Sequence, residues 1–201
     1  VDVRHFDPSN VPPSTLRTEL GLDGAYVGLL LAWHPRLKGA EAAIRALARP
    51  EVQALDPSFH LVVAGGRLPA DLPVLARRLG VTARLHLLPG FEDPRRLYPA
   101  ADVLVHPTFY DPCSRVCLEA LSMGLPVVTT PPNGVRELMG ARGGIVLEEP
   151  GNAESVAVAL RVLADPALRA QTGEDARAIA EAHPLDTALD RVLEVCRAAA
   201  R

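Results

Sequence analysis

Apolar residues in this chain follow two alternating patterns. Short unbroken runs are separated by longer stretches in which apolar positions recur every three or four residues. Residues 26–33 (YVGLLLAW) form the first unbroken run and predict a strand buried on both faces. Gly39 leads into a helical pattern over 40–48, and 60–64 (HLVVA) reads as a second strand closed by Gly65-Gly66. A helix over 69–79 with its stop at Gly80, a strand over 84–88 and a helix start at Asp93-Pro94 follow. Then come a strand over 102–106 (DVLVH), a helix from the cap Ser114 through Ser122 ended by Gly124, and a strand over 126–130 (PVVTT). A short helix over 133–139 and a strand over 144–147 complete the alternation. Three helices close the chain, over 153–164, Pro166–Ala182 and Leu185–Ala199, with Asn152, Asp165 and Asp186 as boundary residues.

Strands alternating with helices at these spacings predict an α/β fold: a Rossmann-like, doubly wound parallel sheet covered on both faces. Ligands in such sheets bind beyond the carboxyl ends of the strands. The loops after Trp33, Ala64, Leu88, His106 and Thr130 all fall at that edge. Residues 1–24 differ: VDVRHFDPSNVPPS is Pro-rich and irregular, and one short helix follows over 16–21. The expected organisation is a linker with a short helix (1–24), the ligand-binding domain (25–184) and a C-terminal helix (185–201). The linker and the absence of an initial Met suggest a fragment whose partner domain precedes it.

Composition narrows the function. The chain has 201 residues, 48% of them hydrophobic, enough for one sizeable core. Aromatic residues are only 4% and the net charge is −3 with both signs interspersed, so a nucleic-acid partner is not expected. No apolar run approaches a membrane span. Three cysteines are too few for a disulfide framework, which fits a cytoplasmic protein. Cys113 and Cys117 lack a Cys/His pair at zinc spacing, so no metal site is expected.

The densest chemistry lies between His106 and Met139. Asp111 and Glu119 are eight positions apart, one just before a helix N-terminus and the other about two turns inside it. Unpaired N–H groups and the helix dipole make that N-terminus an anion site. Flanking carboxylates do not bind the anion; they suit hydroxyl groups attached to it, as in a nucleotide sugar. Each candidate also has a plainer reading. Asp111 is either a hydroxyl acceptor or a turn residue before Pro112. Glu119 stands among apolar neighbours and needs a partner if buried. Arg36 and Lys38, beside Gly39, either clamp phosphate oxygens or are solvated. Gly65-Gly66-Arg67 either lets a base or ribose lie on the backbone or is a strand-end turn. Phe91 and Glu92 either edge a nucleobase or reflect a buried Phe. The 129–134 loop (TTPPNG) either faces the cleft or is a turn with a cap. Trp33 is expected to pack at the sheet edge, and His34, His106 and His183 to be structural.

Taken together, these segments resemble the C-terminal half of GT-B glycosyltransferases, specifically glycosyltransferase family 4. LLLAWHPRLKGAEAAIRAL, HLVVAGGR, LPGF and LYPAADVLVHPTFYDPCSRVCLEALSMGLPVVTTPPNGVREL stand in the family's order, and the last segment is the specific one. The FYDPCS and RLKG segments look most like bacterial members near the lipopolysaccharide-core glucosyltransferases. The family carries a Glu-x7-Glu motif; the second Glu matches Glu119 and the first position is Asp111, one methylene shorter. The resemblance implies that Glu119 holds the ribose hydroxyls, that Asp111 with Pro112 and Cys113 contacts the donor sugar, and that Asp111, Glu119 and Lys38 are the catalytic set. It implies a diphosphate held by Arg36, Lys38 and the backbone around Ser114, Arg115 and Val116, and a nucleobase near Gly66, Arg67, Phe91 and Glu92. Many members have an Arg five residues before the Lys; here that position is Trp33.

The activity so implied is transfer of a sugar, with retention, from a nucleoside-diphosphate sugar (UDP-sugar favoured) to an acceptor hydroxyl, in lipopolysaccharide or other cell-surface glycan synthesis. No cofactor or metal is implied. The acceptor, a glycan or lipid-linked glycan, would bind a missing N-terminal domain, so the fragment alone is expected to bind donor without turnover. The expected location is the cytoplasm, with peripheral association at the inner face of the membrane left open. The alternatives are a degenerate nucleotide-binding module without catalysis and, ranked last, another GT-B enzyme such as an epimerase or phosphorylase.

Overall fold

A computed structural model describes residues 1–11, 13–90 and 93–200. Its strands are β1 (Tyr26–Leu31), β2 (Phe59–Gly65), β3 (Leu85–Pro89), β4 (Val103–His106), β5 (Val127–Thr129) and β6 (Gly144–Val146). The helices are α1 (Leu16–Leu20), α2 (Ala40–Ala46), α3 (Pro50–Gln53), α4 (Leu72–Leu79), α5 (Arg115–Ser122), α6 (Arg136–Met139), α7 (Ala153–Val162), α8 (Pro166–Ala182) and α9 (Leu185–Ala199). The strands form one parallel sheet in the order β3-β2-β1-β4-β5-β6. This is the doubly wound arrangement, with its switch point between β1 and β4.

Period-two alternation sorts the strand residues between two cores. Tyr26, Leu30, Phe59, Leu61 and Val63 pack beneath α2, α3, α4 and α7. Val27, Leu29, Leu31, Val62 and Leu104 pack with Phe6, Tyr98, α5, α6 and α8 on the opposite face. Gly28 is required by this packing: a Cβ there would lie 2.5 Å from the Phe59 ring.

The joint between β1 and β4 is short. β1 registers with β2 from Tyr26↔Phe59 to Leu31↔Ala64, but with β4 only at Gly28↔Val103 and Leu29↔Leu104. Asp102 reinforces its lower end: the Val27 N–H donates to the Asp102 carboxylate at 2.7 Å, and Arg17 donates to the same oxygen at 2.7 Å.

Several local readings shift. The helix expected over 69–79 begins at Leu72, and the helix start at Asp93-Pro94 yields only 3₁₀ turns, Pro94–Arg96 and Tyr98–Ala100. Asp93 still caps, accepting from the Arg95 N–H. The short helix α3 has no counterpart in the sequence reading. Asn152 and Asp165 are N-caps with side-chain bonds, whereas α9 is entered through Pro184 and Asp186 lies in its first turn. The irregular N-terminal segment is tied to the domain: Phe6 is buried edge-on to Tyr98, and its carbonyl accepts from Ser122 Oγ at 2.7 Å and Arg177 at 3.0 Å. α9 buries none of its residues and leaves Leu185, Leu189, Val192, Leu193 and Val195 exposed.

Candidate functional site

At the carboxyl edge of the sheet, two loops are locked together. Gly39 has φ +80°, and a Cβ there would stand 2.2 Å from the Pro107 carbonyl oxygen, so only glycine lets the loop after β1 meet the loop after β4. The Phe109 N–H donates to the Leu37 carbonyl at 2.9 Å, and Thr108 Oγ1 donates to the same carbonyl at 3.1 Å. Lys38 is thereby delivered to Asp111: Nζ donates to Oδ2 at 2.7 Å and to the Tyr110 carbonyl at 3.0 Å, both side chains being largely buried.

His106, at the end of β4, stands beneath this pair. Its Nε2 lies 3.5 Å from Asp111 Oδ2 and 3.4 Å from Ser114 Oγ, while its buried Nδ1 has no partner among the described residues. The His106 ring and the Lys38 ammonium hold the Asp111 carboxyl well below the usual carboxylate range. Burial pushes His106 down, so it is neutral at pH 7.

Ser114 is the N-cap of α5, its hydroxyl accepting from the Cys117 N–H at 3.4 Å. Fully buried Asn133 braces this turn from the loop after β5. Its Oδ1 accepts from the Ser114 N–H at 3.4 Å and the Val135 N–H at 3.2 Å; its Nδ2 donates to Thr129 Oγ1 at 2.9 Å. The Ser114 N–H is therefore already engaged. The Arg115 and Val116 N–H groups have no acceptor among the described residues, and these are the open N–H donors at the helix N-terminus.

Glu119, on the same helix, is buried and accepts from the Tyr98 hydroxyl at 2.7 Å; Arg115 stands 3.8 Å away and is otherwise exposed. Burial pushes the Glu119 carboxyl up, against the lowering effect of Tyr98. The end of β1 (Leu31, Ala32, Trp33), Pro94 and the first turns of α5 (Arg115, Val116, Glu119) enclose a hollow of about 370 Å³. A larger hollow, about 890 Å³, lies at the opposite strand ends between the N-terminal segment and α8, and none of the candidate residues lines it.

Lys38, Asp111, Ser114, Arg115, Val116 and Glu119 thus fall in one strand–loop–helix neighbourhood, with exposed Pro112 and Cys113 at its rim. Arg36 departs from it: its guanidinium pairs with Asp71 at 2.6 Å and lies 3.9 Å from Glu41. Gly66 is not an open platform, because a Cβ there would lie 1.9 Å from Cζ3 of Trp33. Trp33 itself is 76% exposed, not packed away at the sheet edge. Arg67 is exposed, and Phe91 and Glu92 lie outside the described residues. The sequence reading missed Tyr98 and the bracing role of Asn133, and did not place His106 against Asp111. Nothing in the sequence links Tyr98 to Glu119; an Asn in a Pro-Asn-Gly turn and a His ending a buried strand were visible signals. Among the described residues no group of three or more His, Cys, Asp or Glu is arranged to hold a metal ion, and no helix is long and apolar enough to cross a membrane.

A six-stranded parallel sheet carrying an open helix N-terminus, a basic residue and a hydroxyl-accepting carboxylate at its carboxyl edge defines a Rossmann-like half of the GT-B class. The chain belongs to the family described as "Glycosyl transferases group 1", which it matches over residues 24–165. It is 34% identical over 161 residues to lipopolysaccharide glucosyltransferase WaaG of Escherichia coli (strain K12), covering 79% of this chain and 42% of that protein. It is 31% identical over 211 residues to D-inositol 3-phosphate glycosyltransferase of Salinispora arenicola (strain CNS-205), covering 97% of this chain and 47% of that protein. A crystal structure of WaaG superposes with TM-score 0.82 at 29% identity, over 94% of this chain and 53% of that one. Anabaena Alr3699/HepE in complex with UDP-glucose superposes with TM-score 0.85 at 25% identity, over 98% and 56%. The chain spans about half the length of these four matches.

Proposed function

We propose that this chain is the donor-binding half of a retaining glycosyltransferase that takes a nucleoside-diphosphate sugar, with UDP-glucose as the first candidate. The observation that carries the reading is the convergence of Lys38, the open Arg115 and Val116 N–H groups and the Glu119 carboxylate at one strand edge. The leaving group is a diphosphate, so charge develops on its oxygens during transfer. Preorganised N–H donors and an ammonium stabilise that charge without a metal ion. Glu119 accepts from ribose hydroxyls, and Asp111, Pro112 and Cys113 face the sugar. UDP and glucose bound to Alr3699/HepE support the choice of donor. The likeness to WaaG, named a lipopolysaccharide glucosyltransferase, supports a role in lipopolysaccharide or related surface-glycan synthesis. Acceptor binding and turnover belong to the full-length protein, whose other half holds the acceptor.

The test is calorimetric titration of the chain with UDP, GDP, ADP and UDP-glucose, with and without magnesium, followed by transfer assays on the full-length protein with NMR analysis of the product anomer. Saturable, metal-independent binding of a nucleoside diphosphate, and a product keeping the donor's anomeric configuration, are expected. Absence of binding by the full-length protein rejects the reading; binding without turnover points instead to a non-catalytic module.

A further inference from the structure

Trp33 is the only tryptophan of the chain and is 76% exposed, although it stands at the mouth of a hollow rather than on an outer face. An indole carries a large apolar surface, and leaving it in water at a concave site is unusual unless a ligand covers it. Its position is built. A Cβ on Gly66 would lie 1.9 Å from Cζ3 and 2.3 Å from Cε3, so the benzo edge of the indole rests on the bare backbone of Gly66. Gly66 is outside the positive-φ region, so glycine is needed there for room and not for backbone shape. Its neighbour Gly65 serves a different purpose: a Cβ there would strike the Ala32 carbonyl oxygen at 2.1 Å.

We propose that Trp33, seated on Gly66, is the stacking face for the nucleobase of the donor. This rests on the donor-site reading above. Two points of a bound nucleotide are then fixed: the diphosphate at the Arg115 and Val116 N–H groups, and the ribose at Glu119. The base continues from the ribose into the remainder of the same hollow, whose large aromatic surface is Trp33. At about 370 Å³ the hollow is near the lower end of the range for small-ligand sites, roughly 300–1,000 Å³. Stacking engages the π-face that every base has, so it gives affinity without choosing among bases. Trp33 therefore strengthens UDP, GDP and ADP alike, and discrimination between them resides in groups at the base edge.

The single tryptophan makes the test direct. Tryptophan emission of the intact chain is followed during titration with UDP, GDP, ADP and inorganic pyrophosphate, alongside calorimetry on the native chain, Trp33→Ala and Trp33→Phe. Truncating an exposed side chain leaves the fold intact, which circular dichroism checks. Expected are emission changes with all three nucleotides and none with pyrophosphate. Trp33→Ala lowers affinity for each nucleotide by roughly fivefold to 150-fold, corresponding to stacking of about 1–3 kcal/mol per base. Pyrophosphate affinity stays unchanged, and Trp33→Phe recovers most of the loss. UDP binding by calorimetry with silent emission and native affinity in Trp33→Ala overturns the proposal while the donor site stands. An equal loss for pyrophosphate also overturns it, since the residue would then act through the fold of its loop. Absence of saturable calorimetric binding of UDP and pyrophosphate alike, by the chain and by the full-length protein, rejects the donor site, and the stacking role with it.

Discussion

Replacing Glu119 by Gln or by Ala separates what this side chain does for the fold from what it does for a ligand. The carboxylate is buried and is the 2.7 Å acceptor of the Tyr98 hydroxyl, itself fully buried; the other acceptor near that hydroxyl is the Val116 carbonyl at 3.5 Å. Glu119→Ala strands the hydroxyl, which costs about 1–3 kcal/mol, or roughly 2–12 °C in Tm for a domain of this size. Glu119→Gln keeps an acceptor carbonyl and avoids that loss. Burial also raises the Glu119 carboxyl in the folded state. A raised acid holds its proton when the unfolded chain has lost it, so stability falls as pH rises through the interval between the two pKa values. An amide has no such dependence, and Glu119→Gln is expected to be at least as stable as the native chain at pH 7. Its ligand affinity behaves oppositely. Hydrogen bonds to an ionised acceptor contribute about 1.5–3 kcal/mol and neutral ones about 0.5–1.5 kcal/mol. Neutralising the acceptor of the ribose hydroxyls therefore weakens UDP by roughly tenfold to a hundredfold. Thermal denaturation and calorimetry on both variants read the two effects separately. If Glu119→Gln melts as low as Glu119→Ala, the Tyr98 bond is not what holds this helix. If it binds UDP within about twofold of the native chain, the carboxylate is not the ribose ligand.

Other perturbations probe the rest of the edge. Asn133→Ala removes the acceptor of the buried Ser114 and Val135 N–H groups, and chemical denaturation should show a loss of about 2–4 kcal/mol. Gly39→Ala meets both a positive φ and the Pro107 carbonyl; denaturation should register at least about 2 kcal/mol, with weakened pyrophosphate binding as Lys38 is displaced. The lowered Asp111 carboxyl stabilises the fold above its ordinary value of 3.8 and ceases to as pH falls below that. The urea midpoint of the native chain should accordingly drop more steeply than that of Asp111→Asn between about pH 4 and pH 2.

The layered fold was readable because a parallel sheet demands unbroken apolar strands and amphipathic helices, and both patterns survive in 26–31 and 153–162. Helix starts were readable where a side chain makes the cap, as at Ser114, Asn152 and Asp165, and were misplaced where none does, as before Leu72, expected at residue 69; α9 starts at Leu185 as expected, with Pro184 rather than Asp186 before it. The neighbourhood of candidate residues was legible where its parts are close in sequence: Asp111, Ser114 and Glu119 share one loop and helix. Pairings across the fold were not. Lys38 with Asp111, Arg36 with Asp71, Tyr98 with Glu119 and Trp33 with Gly66 depend on strand order, which local periodicity does not encode. Arg36 shows the cost: it reads as a phosphate ligand because it is a basic residue beside Lys38, and nothing local points to the Asp71 carboxylate with which it pairs.

The short register between β1 and β4 bears on how the molecule opens. Backbone pairing is dense within β1–β3, with six and five registered pairs, and falls to two pairs between β1 and β4, where the Asp102 N–H and carboxylate complete the lower end of the joint. Strands β1–β3 thus form one cooperative unit and the remainder of the sheet another, with a boundary directly beneath the cleft. Amide hydrogens along this boundary should exchange through smaller, sub-global openings, ahead of those in the middle of β2. Any ligand that spans the ends of β1 and α5 would staple the units together and slow exchange there, at a distance from its own contacts.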